Sequence, residues 1–154
     1  MTAPVQRSSV EGVLANHERR VGILEAVPSF GGNYEIKLVP DYVTLSTGDG
    51  KFIFAIPSDL NNTNLVDAQA FVTTVATGAT KVTVQIRNVT DAVDMLTTRI
   101  TIDASEFTSY TAATPRVIDA TNDDVVTSDL IAIDVDAVGN TTPGQGLGVI
   151  LRFA

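Results

Sequence analysis

Apolar and polar positions alternate in two rhythms along this chain, and the change falls near residue 30. In "KVTVQIR" (81–87) Val82, Val84 and Ile86 share one face, and Lys81, Thr83, Gln85 and Arg87 share the other. "RITID" (99–103) repeats the pattern with Ile100 and Ile102. "LIAIDVDAV" (130–138) sets Ile131, Ile133 and Val135 against Asp134 and Asp136, and "GLGVILRF" (146–153) aligns Leu147, Val149, Leu151 and Phe153. Period two of this kind predicts antiparallel strands with one buried and one solvated face, so Asp134 and Asp136 are expected as solvated charges. "KFIFAI" (51–56) and "LVDAQAFVTTVAT" (65–77) predict further strands, and "YEIKLV" (34–39) and "YVTLS" (42–46) predict weaker ones. Phe52, Phe54, Phe71 and Phe153 fall within this alternation and are expected in the core.

The breaks carry turn chemistry: "STGDGK", "PSDLNNTN", "ATGATK", "RNVTDA", "DATNDD" and "GNTTPGQG". Gly supplies positive φ and Asn and Asp form side-chain turns. About eight strands at short spacing predict an antiparallel β-sandwich, jelly-roll-like, over residues 30–154.

Residues 1–29 follow the other rhythm. After a polar arm, "MTAPVQRSS", Val10, Leu14, His17, Val21 and Leu24 recur at spacings of four and three. That is the a/d seam of a coiled coil, with Val10, His17 and Leu24 at d and Leu14 and Val21 at a. Arg20 falls at g and Glu25 at the following e, where neighbouring chains can form an ion pair. The stretch "RVGILE" resembles the short trimerisation motif of three-stranded coiled coils. There the Arg stem covers the core while its fork meets the Glu of the next helix. Ser8 or Ser9 can cap the start, and Pro28 ends the helix by excluding Val27 from helical geometry. The rival reading, a helix lying on its own domain, is disfavoured by the narrow stripe and by Gly12 and Gly22. Each of these glycines costs about 1 kcal/mol relative to Ala, so the helix needs partners. A homotrimer is expected, on a stalk of roughly 28 Å for about 19 residues.

Composition narrows the chemistry. The 154 residues fit one ordinary domain, and 44% hydrophobic content supports a core. With no Cys there is neither a disulfide framework nor a thiolate site. The net charge of −8 argues against nucleic acid and against an anionic membrane surface. No apolar signal segment or membrane-length run is visible, so the N-x-S/T triplets at Asn61, Asn88 and Asn140 are read as chance.

His17 is the only histidine, and it occupies a seam position, which argues against a His-based triad and against zinc. "GQGLG" (144–148) leads into a strand and lacks the helix N-terminus that a phosphate loop needs. Asp119, Asn122, Asp123 and Asp124 form an acidic loop, the one candidate for calcium, though its spacing misses the EF-hand pattern. Paired carboxylates could serve glycoside hydrolysis, but zero Trp and three Tyr leave few platforms for a sugar. No catalytic residue, cofactor or metal ligand is assigned.

At "PSDLNNTNLVDAQAFV", "VTVQIRNVTDAVDMLTTRITIDASE", "SYTAATPRVID", "NDDVVTSDLIAIDVDAV" and "GQGLGVILRF" the chain resembles small structural proteins of tailed bacteriophages. It is similar to the β-sandwich modules of head fibres, capsid decoration proteins and tail-fibre tips, over roughly residues 51–154. The resemblance implies a non-enzymatic, oligomeric virion component. The expectation is a trimeric decoration or cement protein on the capsid exterior, with itself and the phage major capsid protein as partners. A trimer matches a local three-fold position of the lattice. The first alternative is a tail-fibre or receptor-binding tip; a carbohydrate-active sandwich ranks below it.

Overall fold

The strongest alternating stretches become the strands that line the core. In the computed structural model, residues 32–154 are described, and they belong to one compact unit, Gly31–Ala154. The expected arm and coiled-coil helix of residues 1–29 lie outside the described residues. The strands are β1 (Asn33–Lys37), β2 (Gly48–Ala55), β3 (Thr63–Thr74), β4 (Val82–Asn88), β5 (Val93–Asp94) and β6 (Leu96–Thr98). They continue with β7 (Ile100–Ile102), β8 (Val117–Ile118), β9 (Asp124–Val125), β10 (Leu130–Ala137) and β11 (Gln145–Phe153). Two single 3-10 turns, Ser58–Leu60 and Ser109–Thr111, are the only helical elements among the described residues.

The described residues are thus mainly β, and every strand pairing among them is antiparallel. One sheet has the order β1-β11-β3-β9. The second runs β2-β10-β4-β5, with β7 also on β4, and β6 and β8 form a separate ribbon. The pairings nest: β1 with β11, β2 with β10, β3 with β9, and β4 with β5 and β7. In these pairings the chain runs out and returns antiparallel alongside itself.

One apolar cluster joins the two sheets in a sandwich-like arrangement. Leu147, Val149, Leu151 and Phe153 of β11 and Ala68, Ala70 and Val72 of β3 meet Val82, Val84 and Ile86 of β4 and Ile131, Ile133 and Val135 of β10. All are buried, as the alternation predicts. Each such Val, Leu or Ile contributes about 1.5–3 kcal/mol of transfer free energy.

The edges are treated differently on the two sides. Beyond its short pairing with β9, the edge of β3 is covered by residues 107–109. Val72 N–H donates to Phe107 O at 2.8 Å, and Ala70 N–H donates to Ser109 Oγ at 2.9 Å. On that side β3 and β7 also approach one another. On the opposite side run β1 and β2, each with one hydrogen-bonded neighbour among the described residues.

Several expectations change. "YVTLS" is not a strand: it makes an isolated bridge, Thr44 to Gln145, and only Leu45 reaches the core. Strand β2 begins three residues before Lys51, inside the stretch read as a turn. Phe52 is 38% exposed, because β2 is the last strand of its sheet and nothing described lies beyond it. Phe71 lies half-buried on the face away from the core. It packs over Gly148, with Lys37 Nζ 5.0 Å from its ring centroid. Gln85, expected on a solvated face, is 4% exposed, because the chain after β5 crosses it and Leu96 O accepts its amide proton at 3.1 Å.

Candidate functional site

The most organised polar group in the described residues sits on the outer face of the second sheet, where the sequence predicts solvated charge. Asp134 is buried, not solvated, at 5% exposure. Its neighbours explain this. Opposite Ile133–Val135 the register of β2 slips, so residues 49–51 bulge over the carboxylate. Gly50, at φ 58°, takes a left-handed conformation that favours glycine and aims its N–H at Asp134 Oδ1, 2.5 Å away. From the other side Arg87 of β4 donates Nε–H to Oδ2 at 3.1 Å. That bond and the adjacent charge hold the guanidinium still further on its protonated side.

Asp136, two residues on, pairs with Arg99 at 2.6 Å. Burial nevertheless raises its pKa above the ordinary carboxylate value. Arg99 opposes that rise, and the charges of Asp134, Asp49 and Asp94 add to it. Two ion pairs, Arg87–Asp134 and Arg99–Asp136, therefore share this face with the neighbouring charges of Asp49 and Asp94. These two pairs lie within the sheet, which suits a fixed surface.

The acidic loop at the surface is likewise held by its own hydrogen bonds. Asp119 Oδ1 accepts from Thr121 N and Oγ1 at 3.1 and 2.7 Å, and Oδ2 accepts from Asn122 Nδ2 at 2.8 Å. The Thr121 hydroxyl is the largest cause of its lowered pKa. Asp123 Oδ1 accepts from Asn64 Nδ2 at 2.9 Å, and Asp124 enters β9. Asp119 and Asp123 answer to different partners, and the three carboxylates do not gather into a metal-holding group. Among the described residues, no group of three or more His, Cys, Asp or Glu is placed to hold a metal ion, and no pocket forms.

A second buried network fixes β3 to the crossing segment. The Gln69 amide donates to Ser109 Oγ at 2.6 Å and accepts from Arg116 at 3.0 Å. Arg116 also pairs with Asp67. Asn88, 1% exposed, donates to Asp91 at 2.8 Å and to Asp129 at 3.2 Å, and closes the turn between β4 and β5. Asn61 and Asn140 accept from the backbone N–H of Thr127 and Thr80. The three asparagines of the N-x-S/T triplets thus hold turns together.

The seam residues Val10, Leu14, His17, Val21 and Leu24 and the pair Arg20 and Glu25 lie outside the described residues. Two features of the described surface escaped the sequence. One is the Asp134–Arg87–Gly50 group, whose only signal was the glycine beside an aspartate in "GDGK". The other is a set of exposed aromatics: Tyr42 at 85%, Tyr110 at 66% and Phe107 at 56%. Comparison with family models, with curated proteins and with solved structures found no match.

Proposed function

We propose that residues 32–154 form a jelly roll and that the chain is a non-enzymatic virion protein of a tailed bacteriophage, a homotrimer decorating the capsid exterior. The nested pairing of first strand with last, second with tenth and third with ninth carries the proposal. It is the strand order of a rolled-up antiparallel ribbon, and jelly rolls serve as viral capsid and lectin domains. Charge distribution adds support. Arg7, Arg19 and Arg20 balance Glu11, Glu18 and Glu25, so residues 1–31 sum to zero and the whole −8 belongs to residues 32–154. An acidic body faces solvent and repels its neighbours, while a neutral N-terminal segment is free to make contacts. The protein would stabilise the shell by mass action, since it binds the assembled lattice. Three copies on one stalk would tighten modest single contacts.

The test adds purified protein, with and without residues 1–9, to shells that lack it. Saturable binding that weakens without the arm supports the proposal, and shells left bare contradict it. The exposed Phe107, just before the Ser109–Thr111 turn, and Tyr110 within it favour a second reading, a receptor-binding tip that stacks host sugars on aromatic rings. Binding to cells or tails with bare shells ignored would select it.

A further inference from the structure

Strand β2 pairs with β10 on one side only among the described residues, and its centre is apolar. Ile56 N–H donates to Asp129 O at 2.8 Å. By the period of an antiparallel ladder, Phe54 and Phe52 then direct their backbone groups to β10, opposite Ile131 and Ile133. Ile53 and Ala55 direct theirs outward, where no described residue meets them. Side chains repeat the theme. Phe52 and Phe54 stack at 6.1 Å between centroids on the inner face, and Ile53 is 52% exposed on the outer face, near Ala55 and the 43% exposed Leu130. Natural proteins shield such an edge with charge, proline or a covering segment. Here β1 carries Glu35 and Lys37 along its outward positions and β3 is covered by residues 107–109, but β2 shows only apolar residues from Phe52 to Ala55.

We propose that β2 pairs antiparallel with β2 of a second copy of this chain, about a two-fold axis through Ile53. The strand is self-complementary in that register. Ile53 meets its own counterpart, each Phe52 faces a Phe54, and each Lys51 faces an Ala55. No like charges oppose one another, since Asp49 falls opposite Pro57. Aromatic pairs of this kind stabilise neighbouring strands, and the four-ring cluster covers the open side of the roll. The resulting sheet is continuous, from β4 and β10 of one copy through the two β2 strands into the other. The inference builds on the proposed role: a three-fold stalk combined with a two-fold edge contact would link decorating trimers laterally into a net over the shell.

The test uses the absence of cysteine in the full chain. In the proposed register Ile53→Cys places two thiols across a hydrogen-bonded pair, with Cα atoms about 5.5 Å apart, within disulfide reach. Ala55→Cys places them four residues out of register, on the order of 14 Å apart. Mild oxidation of the Ile53→Cys protein should give a covalent dimer in high yield, and the Ala55→Cys protein should stay uncrosslinked. A third variant, Ile53→Lys, sets like charges face to face on the axis and should abolish concentration-dependent association of the full chain while leaving its circular dichroism unchanged. Equal crosslinking of both cysteine variants, or none of either, overturns the pairing. Sedimentation separates the two claims. Crosslinking without a three-chain species would refute the stalk and keep the edge contact, and a three-chain species without crosslinking would do the reverse.

Discussion

Arg87 reaches across from β4 to Asp134 of β10 and donates Nε–H to its carboxylate at 3.1 Å, while Gly50 of β2 donates to the other oxygen. Three strands of one sheet are tied at a single side chain. Asp134 is 7% exposed at its side chain and Arg87 is 35%, so the carboxylate is the buried partner. Asp134→Ala strands the Gly50 N–H and the guanidinium, and should cost about 1–3 kcal/mol in urea denaturation. Hydrogen exchange at Gly50 should speed up as the bulge loosens. Arg87→Ala leaves the Gly50 bond in place but removes the compensating charge. A loss under about 0.5 kcal/mol for Asp134→Ala would show that the tie is ornamental.

The close approach of Gly148 to Phe71 gives a packing test. A Cβ at Gly148 would overlap the Phe71 ring. Gly148→Ala should destabilise by about 1–3 kcal/mol through overpacking. The cost should shrink in the double variant with Phe71→Leu, whose side chain leaves room. Additive losses in the double-mutant cycle would mean that the two residues do not press on each other.

Acid titration should separate two aspartates of opposite sign. Asp103 is held below the ordinary value, first by its hydrogen bond from Lys81 and then by Ala113 N–H. Its contribution is present above the unfolded pKa and lost as pH falls through the folded one. Asp136 is raised by burial, so its charged form is the costly one. That cost is absent below the unfolded pKa and sets in as pH rises through the folded value. Asp103→Asn should therefore lose stability at neutral pH and converge with the native protein in acid. Asp136→Asn should equal or exceed the native protein at neutral pH, with the difference fading in acid. Denaturation midpoints across the acid range check both signs, and a stability loss at neutral pH for Asp136→Asn would contradict the second.

Calcium should have no stabilising effect. Both Asp119 oxygens are engaged by Thr121 and Asn122, and Asp123 is engaged by Asn64. Millimolar calcium should leave the thermal midpoint unchanged to within about 1 °C. A rise of about 5 °C or more would show a bound ion, since ligand binding to the native state raises apparent stability.

The buried faces were legible because period two is read directly from residue identity. Val82, Val84 and Ile86, Ile131, Ile133 and Val135, and Leu147 to Phe153 all point where the alternation sends them. The other face of each strand was not legible in the same way. Alternation says which residues share a face, but not what later covers it. Gln69 and Gln85 are buried by the 96–118 segment, and Asp134 by a bulge in β2 and an arginine from β4. These coverings are long-range, and only the fold brings them together. Phe52 failed for the converse reason: its strand proved to be an edge, which no local pattern announces. The short strands β5, β6, β8 and β9, each two or three residues, were invisible because such pieces carry no period.

The coiled coil expected from the sequence makes its own prediction. Val10, Leu14, His17, Val21 and Leu24 recur at the spacing expected of a seam, with Arg20 and Glu25 expected as its inter-chain ion pair. Leu24→Asp should dissociate a trimer into single chains by placing like charges at the core. Light scattering on the native and variant proteins reads this, and a native protein that runs as a monomer would refute the seam.

The central proposal is that the protein decorates the outside of a phage head, and a reconstruction of particles with and without this chain tests it most directly. The account predicts difference density at local three-fold positions on the outside of the head, with the sandwich-like body outward and the N-terminal segment against the lattice. Heads identical in the two reconstructions, or density confined to the tail, would contradict it.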